Sequence, residues 1–126
     1  MNIPVDLKYT RSDEWFAPAS GKVGITDYAQ SQLSDIVFLE IIAVVGETLT
    51  AGKPIASVES VKAAAETYSP VAGKVVAVNG DLPAAPETLN SDPFGAGWMI
   101  QIEGANASSG LMDATAYEKD SSARAH

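Results

Sequence analysis

Turn-forming residues interrupt this chain so often that no long regular element fits between them. Ten glycines and seven prolines are spread through 126 residues, and the apolar segments between them are short, which favours strands over long helices. Mainly β structure is therefore expected. With 46% apolar residues, two Trp, four Tyr and three Phe, the chain can build one compact core but not two. Residues 1–126 read as a single domain, with "SSARAH" at the end expected to fray from about residue 120.

Along the chain, residues 15–17 and 21–26 read as a hairpin turned at Pro18 and Gly21. In "TDYAQSQL", Thr26 or Asp27 is placed to cap a short helix, with Gln30 as the capping-box partner of Asp27. Residues 36–43 are apolar on both faces, the pattern of a central strand covered on each side. Residues 54–58 and 73–78 continue the strand series, the second ending at the turn dipeptide Asn79–Gly80. Three prolines and two glycines make 82–97 a long surface loop, and 98–102 a closing strand. A last helix is expected over 111–119, capped near Ser108 or Ser109. "PASGKV" at 18–23 and "PVAGKV" at 70–75 echo one another and suggest two related hairpins.

Composition excludes much chemistry. There is no Cys, and the only His is His126, the last residue, so thiolate nucleophiles, Ser-His or Cys-His catalysis and a His-ligated zinc site are all ruled out. Neither catalytic residues nor a metal site are expected. A net charge of −8 disfavours nucleic acid and anionic membranes as partners, and suits either simple solubility or steering toward basic docking patches. The longest apolar run, "IVFLEIIAVV", is far shorter than a membrane span and is broken by Glu40. No signal peptide is visible at the N-terminus, so a cytoplasmic protein is expected.

One stretch stands apart. "VESVKAAAETYSP", residues 58–70, sets Lys62 among small residues, with Glu59 before it and Glu66 after. Read as a helix, it has i,i+3 and i,i+4 ion pairs and three alanines in its favour. Read as a hairpin, Val58 and Val61 anchor one strand, Tyr68 the other, and Lys62 projects from an uncluttered tip. Local propensity leaves both open, since Ala is a poor strand former.

Four blocks in order, "LKYTRSDEW" from Leu7, "GKVGITDYAQSQLSDIVFLE" from Gly21, the stretch from Val58 to Asn79 and "LNSDPFGAGWMIQI" from Leu89, resemble the H proteins of the glycine cleavage system, a family of small lipoyl carriers. The resemblance implies a barrel-sandwich hybrid of small antiparallel sheets with short peripheral helices, the fold of lipoyl and biotinyl carriers. It favours the hairpin. It also implies that Lys62, in Glu-Ser-Val-Lys-Ala, carries lipoic acid in amide linkage on an arm on the order of 10–15 Å long, and that Ser12, Glu14 and Glu66 line a cleft for the loaded arm.

By the same resemblance the chain is a carrier rather than an enzyme, and a monomer is expected. Its partners would be a pyridoxal-phosphate glycine decarboxylase, a tetrahydrofolate-dependent aminomethyltransferase, an FAD- and NAD-dependent dihydrolipoamide dehydrogenase and a lipoate-attaching enzyme. It would pass the aminomethyl group and reducing equivalents among the first three. The chain departs from the family in reading Asp13 and Gln32 where histidines are common. A biotinyl carrier is disfavoured because Val61 and Ala63, not methionines, flank the lysine. The alternative is an H-like protein that relays lipoyl groups or serves another lipoamide-dependent pathway.

Overall fold

A computed structural model describes residues 1–104 and 110–124. The strands are β1 (Lys8–Tyr9), β2 (Glu14–Phe16), β3 (Lys22–Ile25), β4 (Ile36–Ile41), β5 (Thr48–Leu49), β6 (Pro54–Ser60), β7 (Ala64–Tyr68), β8 (Gly73–Val78) and β9 (Ile100–Glu103). Three α-helices join them: α1 (Asp27–Leu33), α2 (Thr88–Ser91) and α3 (Ala114–Arg124). The strands form two antiparallel sheets, a six-stranded one in the order β1-β2-β3-β9-β8-β5 and a three-stranded one in the order β4-β6-β7. This is the mainly β, sandwich-like architecture expected.

Between the sheets lies an aliphatic core that includes Phe16, Val23, Leu39, Ile55, Val75 and Ile100. Strand alternation places it: Ile100 and Ile102 of β9 are buried, while Gln101 and Glu103 face outward. A second cluster is aromatic and gathers Tyr9, Trp15, Tyr28 and Tyr117. Trp15 lies opposite Gly24 across β2–β3, and a Cβ on Gly24 would come within 2.8 Å of its indole. Gly24 therefore makes room for the ring.

The two echoed motifs enter β3 and β8, which flank β9 on either side; Val23 sits opposite Ile100 and Val75 opposite Ile102. Their turns differ, since Gly21 has φ +82° and is packed so closely that a Cβ there would fall 2.1 Å from the Ile102 carbonyl oxygen. Thr26 caps α1, its hydroxyl accepting from the Ala29 N–H at 3.1 Å. Gln30 does pair with Asp27, but side chain to side chain at 2.6 Å rather than through a capping box.

Several expectations need correction. Residues 36–43 do not form a central strand: β4 is an edge of the small sheet, with Ile36 and Leu39 buried and Val37 and Phe38 exposed. A register shift between Ile36 and Phe38 accounts for the three-residue spacing of its buried positions. The 82–97 segment is not a surface loop. It holds a 3-10 turn, Leu82–Ala84, and α2, with Leu82 and Leu89 wholly inside. These turns are too short for their periodicity to show in the sequence. The last strand begins at Ile100 rather than Trp98 and lies inside the larger sheet.

The final helix spans Ala114–Arg124, so its start is later than expected and the chain is regular past Lys119 rather than frayed from residue 120. The Asp113 carboxylate receives the Ala116 N–H at 2.8 Å in the capping role, whereas the expected caps Ser108 and Ser109 lie outside the described residues. Tyr117 and Ser121 anchor the helix by burial. No helix among the described residues is long and apolar enough to cross a membrane.

Candidate functional site

β6 and β7 form a hairpin whose last strand pair is Glu59 and Ala64, which decides between the two readings of residues 58–70. Ser60 builds its tip. The Ser60 N–H donates to the Ala63 carbonyl at 2.8 Å, while its hydroxyl oxygen accepts from the N–H groups of Lys62 and Ala63 at 3.2 and 3.1 Å. Val61 donates to the Asp35 carbonyl at 3.0 Å, tying the tip to the entry of β4. Neither Val61 nor Lys62 has a positive φ, so the turn carries no backbone strain at the lysine. Lys62 is exposed, and its ammonium makes no ion pair among the described residues.

Behind the tip, a cleft of about 200 Å³ runs between β7, α1 and the turn before β2. Ser12, Asp13 and Glu14 line one wall, Ala65, Glu66 and Thr67 the other, and Gln32 projects from α1. The three cleft residues expected from sequence are thus brought together. Ser12 and Glu66 are exposed, but Glu14 is only 1% exposed.

A carboxylate so deeply placed must be supplied with donors. Glu14 Oε1 accepts from the hydroxyls of Thr10 and Ser12, each at 2.6 Å, and Oε2 accepts from the Tyr68 N–H at 3.2 Å. Burial pushes the Glu14 carboxyl above the usual carboxylate range; the hydroxyl and amide donors pull it back in part, and the neighbouring charge of Asp13 adds to the rise. The result is a carboxyl held by three donors in a largely desolvated corner, where its ionised form would attract a cation far more strongly than in water.

Asp13, one of the two departures noted from the sequence, takes a positive φ of 73°. Its carboxylate faces α3, accepting from Arg124 at 2.7 and 3.2 Å and from the Tyr117 hydroxyl at 2.9 Å. Gln32, the second such departure, lines the cleft. A larger and shallower concavity of about 800 Å³ adjoins the cleft along β6–β7 between Phe38 and Tyr68, sharing Val58, Ala65 and Glu66 with it. Its carboxylates, Glu59 and Glu66, are exposed, so it lacks the desolvated carboxyl that distinguishes the smaller cleft.

Sequence reasoning missed several residues on which this geometry depends. Thr10 and Ser60 are short hydroxyl residues whose roles exist only once their turns have formed. Asn90 joins three segments, its amide oxygen accepting from the Ile36 N–H and its amide nitrogen donating to Gln30 and Ser34. Its place in the Pro-rich segment concealed it. Arg124 lies 111 residues from the Asp13 it binds, and no local pattern signals such a pair.

The comparisons with known proteins agree with this geometry. Residues 7–124 match the family model described as Glycine cleavage H-protein. A glycine cleavage system H protein of Thiobacillus denitrificans is 49% identical, with both chains covered in full. That of Laribacter hongkongensis is 48% identical over 94% of this chain and 97% of its own. The crystal structure of a glycine cleavage system H protein from Mycobacterium marinum superposes with a TM-score of 0.86 at 35% identity, covering 95% of this chain and 99% of that one. A hairpin-borne lysine beside a cleft with a buried carboxylate, on this fold and with these relatives, places the chain in the glycine cleavage H-protein family.

Proposed function

We propose that the chain is the lipoyl-bearing shuttle of the glycine cleavage system, that Lys62 is the attachment residue, and that the Ser12–Glu14–Glu66 cleft shelters the loaded arm. The observation that carries the reading is the pairing of an exposed, strain-free lysine with a desolvated carboxylate on the same hairpin's flank. Glu66 lies four residues beyond Lys62, at most roughly 13 Å even at full strand spacing, which is within the reach of a lipoyl-lysine arm.

The residues present fit the group. An unpaired primary amine at a hairpin tip is open to a lipoate-attaching enzyme, and small Ala63, Ala64 and Ala65 leave its approach clear. When bound there, lipoic acid supplies a reversible disulfide–dithiol couple and a sulfur to carry the one-carbon cargo, chemistry that a chain without Cys lacks. The protein's own contribution is positioning. Glu14 would offer a carboxylate to a cationic group held in the cleft, and Glu66 would support it from the rim.

In this role the chain catalyses no step alone. It presents cargo to glycine decarboxylase, aminomethyltransferase and dihydrolipoamide dehydrogenase in the cytoplasm. The deciding experiment is intact mass and peptide mapping of protein from its own cell, combined with turnover on glycine decarboxylase and on a 2-oxo-acid dehydrogenase component. One lipoyl addition on Lys62 and productive turnover with the first enzyme alone are expected. Lipoylation elsewhere would overturn the assignment of Lys62, and equal turnover with both enzymes would favour a general lipoyl relay.

A further inference from the structure

The last turn of α3 ends against the wall of the cleft. Arg124 grips the Asp13 carboxylate with two nitrogens, at 2.7 and 3.2 Å, is held in turn by Asp120 at 3.0 Å, and stands over the Tyr28 ring of α1 at 5.2 Å. About two turns earlier in the helix, the buried Tyr117 hydroxyl reaches both Asp13 and the Thr26 hydroxyl, at 2.9 and 2.7 Å. Its ring stacks on Tyr9 at 4.7 Å. Asp13 thus sits at the meeting point of α3, α1 and the β1–β2 turn, in a left-handed conformation that Asp adopts more readily than most side chains. The residues on either side of it are Ser12 and Glu14.

We propose that α3 is a strap that positions and electrostatically tunes the cargo cleft, with Arg124 as the positioning residue acting on Glu14 through Asp13. This rests on the reading of the cleft given above. The placement of the charges explains the need for such a strap. The ionisable groups facing Glu14 include Arg11 and Asp13 on its own turn, Glu66 across the cleft, Tyr68, which meets it through the backbone N–H, and Arg124 and Tyr117 behind Asp13; α1 carries Asp27 and Tyr28, but its cleft-lining residues Ala29, Gln32 and Leu33 are uncharged. Left alone, Asp13 would be a second anion beside a buried one and would compete for the cargo ammonium. Bound to Arg124 and Tyr117, its carboxylate is compensated, so that Glu14 is the uncompensated carboxyl presented to the cleft.

The test compares Arg124→Gln, Arg124→Lys and the double variant Asp13→Asn/Arg124→Gln with the parent. Asn tolerates the left-handed backbone at position 13, which keeps the double variant folded. The first readout is the carboxyl titration of Glu14 by NMR in the full-length chain without lipoate. Arg124→Gln should move it to higher pH, the double variant should bring it back, and Lys should hold it near the parent. The second readout is the lifetime of the aminomethyl cargo on the lipoylated chain, expected to fall about three- to tenfold in Arg124→Gln, with reoxidation of the unloaded dithiol unchanged. An unmoved Glu14 titration in Arg124→Gln overturns the strap. A moved titration with an unchanged cargo lifetime upholds the strap and overturns the cargo reading of the cleft.

Discussion

Lys62 and Glu14 stand at the two ends of one proposed task and are built in opposite ways. The lysine is exposed on a tip closed by its own near neighbours, chiefly Ser60 and Ala63. Glu14 is buried, and beside the nearby hydroxyls of Thr10 and Ser12 it needs the Tyr68 N–H from 54 residues away. A presenting site must offer one side chain freely and asks little of the rest of the protein. A receiving site must withdraw a charge from water and satisfy every lone pair it withdraws, which only an assembled fold can do.

The most severe way to break the contrast is to delete the presenting side. Lys62→Ala should abolish lipoylation and glycine-dependent shuttling together, while stability stays within about 0.5 kcal/mol of the parent, because an exposed tip residue contributes little packing. Intact mass and chemical denaturation measure the two halves. Residual lipoylation would mean that Lys22 or Lys74, in the echoed motifs, shares the role.

Deleting the receiving charge separates function from stability. Glu14→Gln should accelerate loss of the aminomethyl cargo by roughly 10- to 100-fold, the cost of a charge-assisted contact in a desolvated corner. Its effect on folding has the opposite sign. Since burial raises the Glu14 pKa in the folded chain, the folded state binds a proton where the unfolded chain has already released one. Stability contributed at this position therefore falls as pH rises from the ordinary carboxylate range through the raised value, and above it the full cost of the buried charge is felt. The Gln variant should lose that slope above the ordinary carboxylate range of about pH 4, and be as stable as the parent or more so once the parent's carboxyl is ionised. A Gln variant that is less stable than the parent at such a pH would show that the three donors to Glu14 outweigh its desolvation.

The same contrast accounts for what could be read from sequence. The lysine motif, α1 with its Thr26 cap, and the strand alternation of β9 are each specified within a few residues. β4 was misread because its apolar content gives no sign that Val37 and Phe38 face solvent across a register shift. Leu82 and Leu89 were hidden among prolines, although their burial makes that segment part of the core. Ser12, Glu14 and Glu66 were named by family resemblance alone, and nothing local distinguished the buried Glu14 from the exposed Glu66. Arg124 was written off with the tail, since only a folded chain brings it to Asp13. Charge placed by tertiary contact leaves no periodicity to detect.

The finest test compares the two acids that share the cleft. Glu66 lines it from β7 and is exposed, so water and salt screen whatever it offers a cation, whereas Glu14 acts from behind a wall of protein. If both hold the same ammonium, Glu66→Gln should shorten the cargo lifetime by only about two- to fivefold, and the effect should shrink as ionic strength rises. The Glu14→Gln effect should persist in salt. The two substitutions should also be less than additive, because each removes part of one shared contact. Cargo lifetimes of the two single variants and the double variant, at low and high salt, give the coupling directly. A Glu66→Gln effect as large and as salt-resistant as that of Glu14→Gln would mean that the loaded arm closes over the rim and buries Glu66 as well, so that the receiving site is completed by its own cargo.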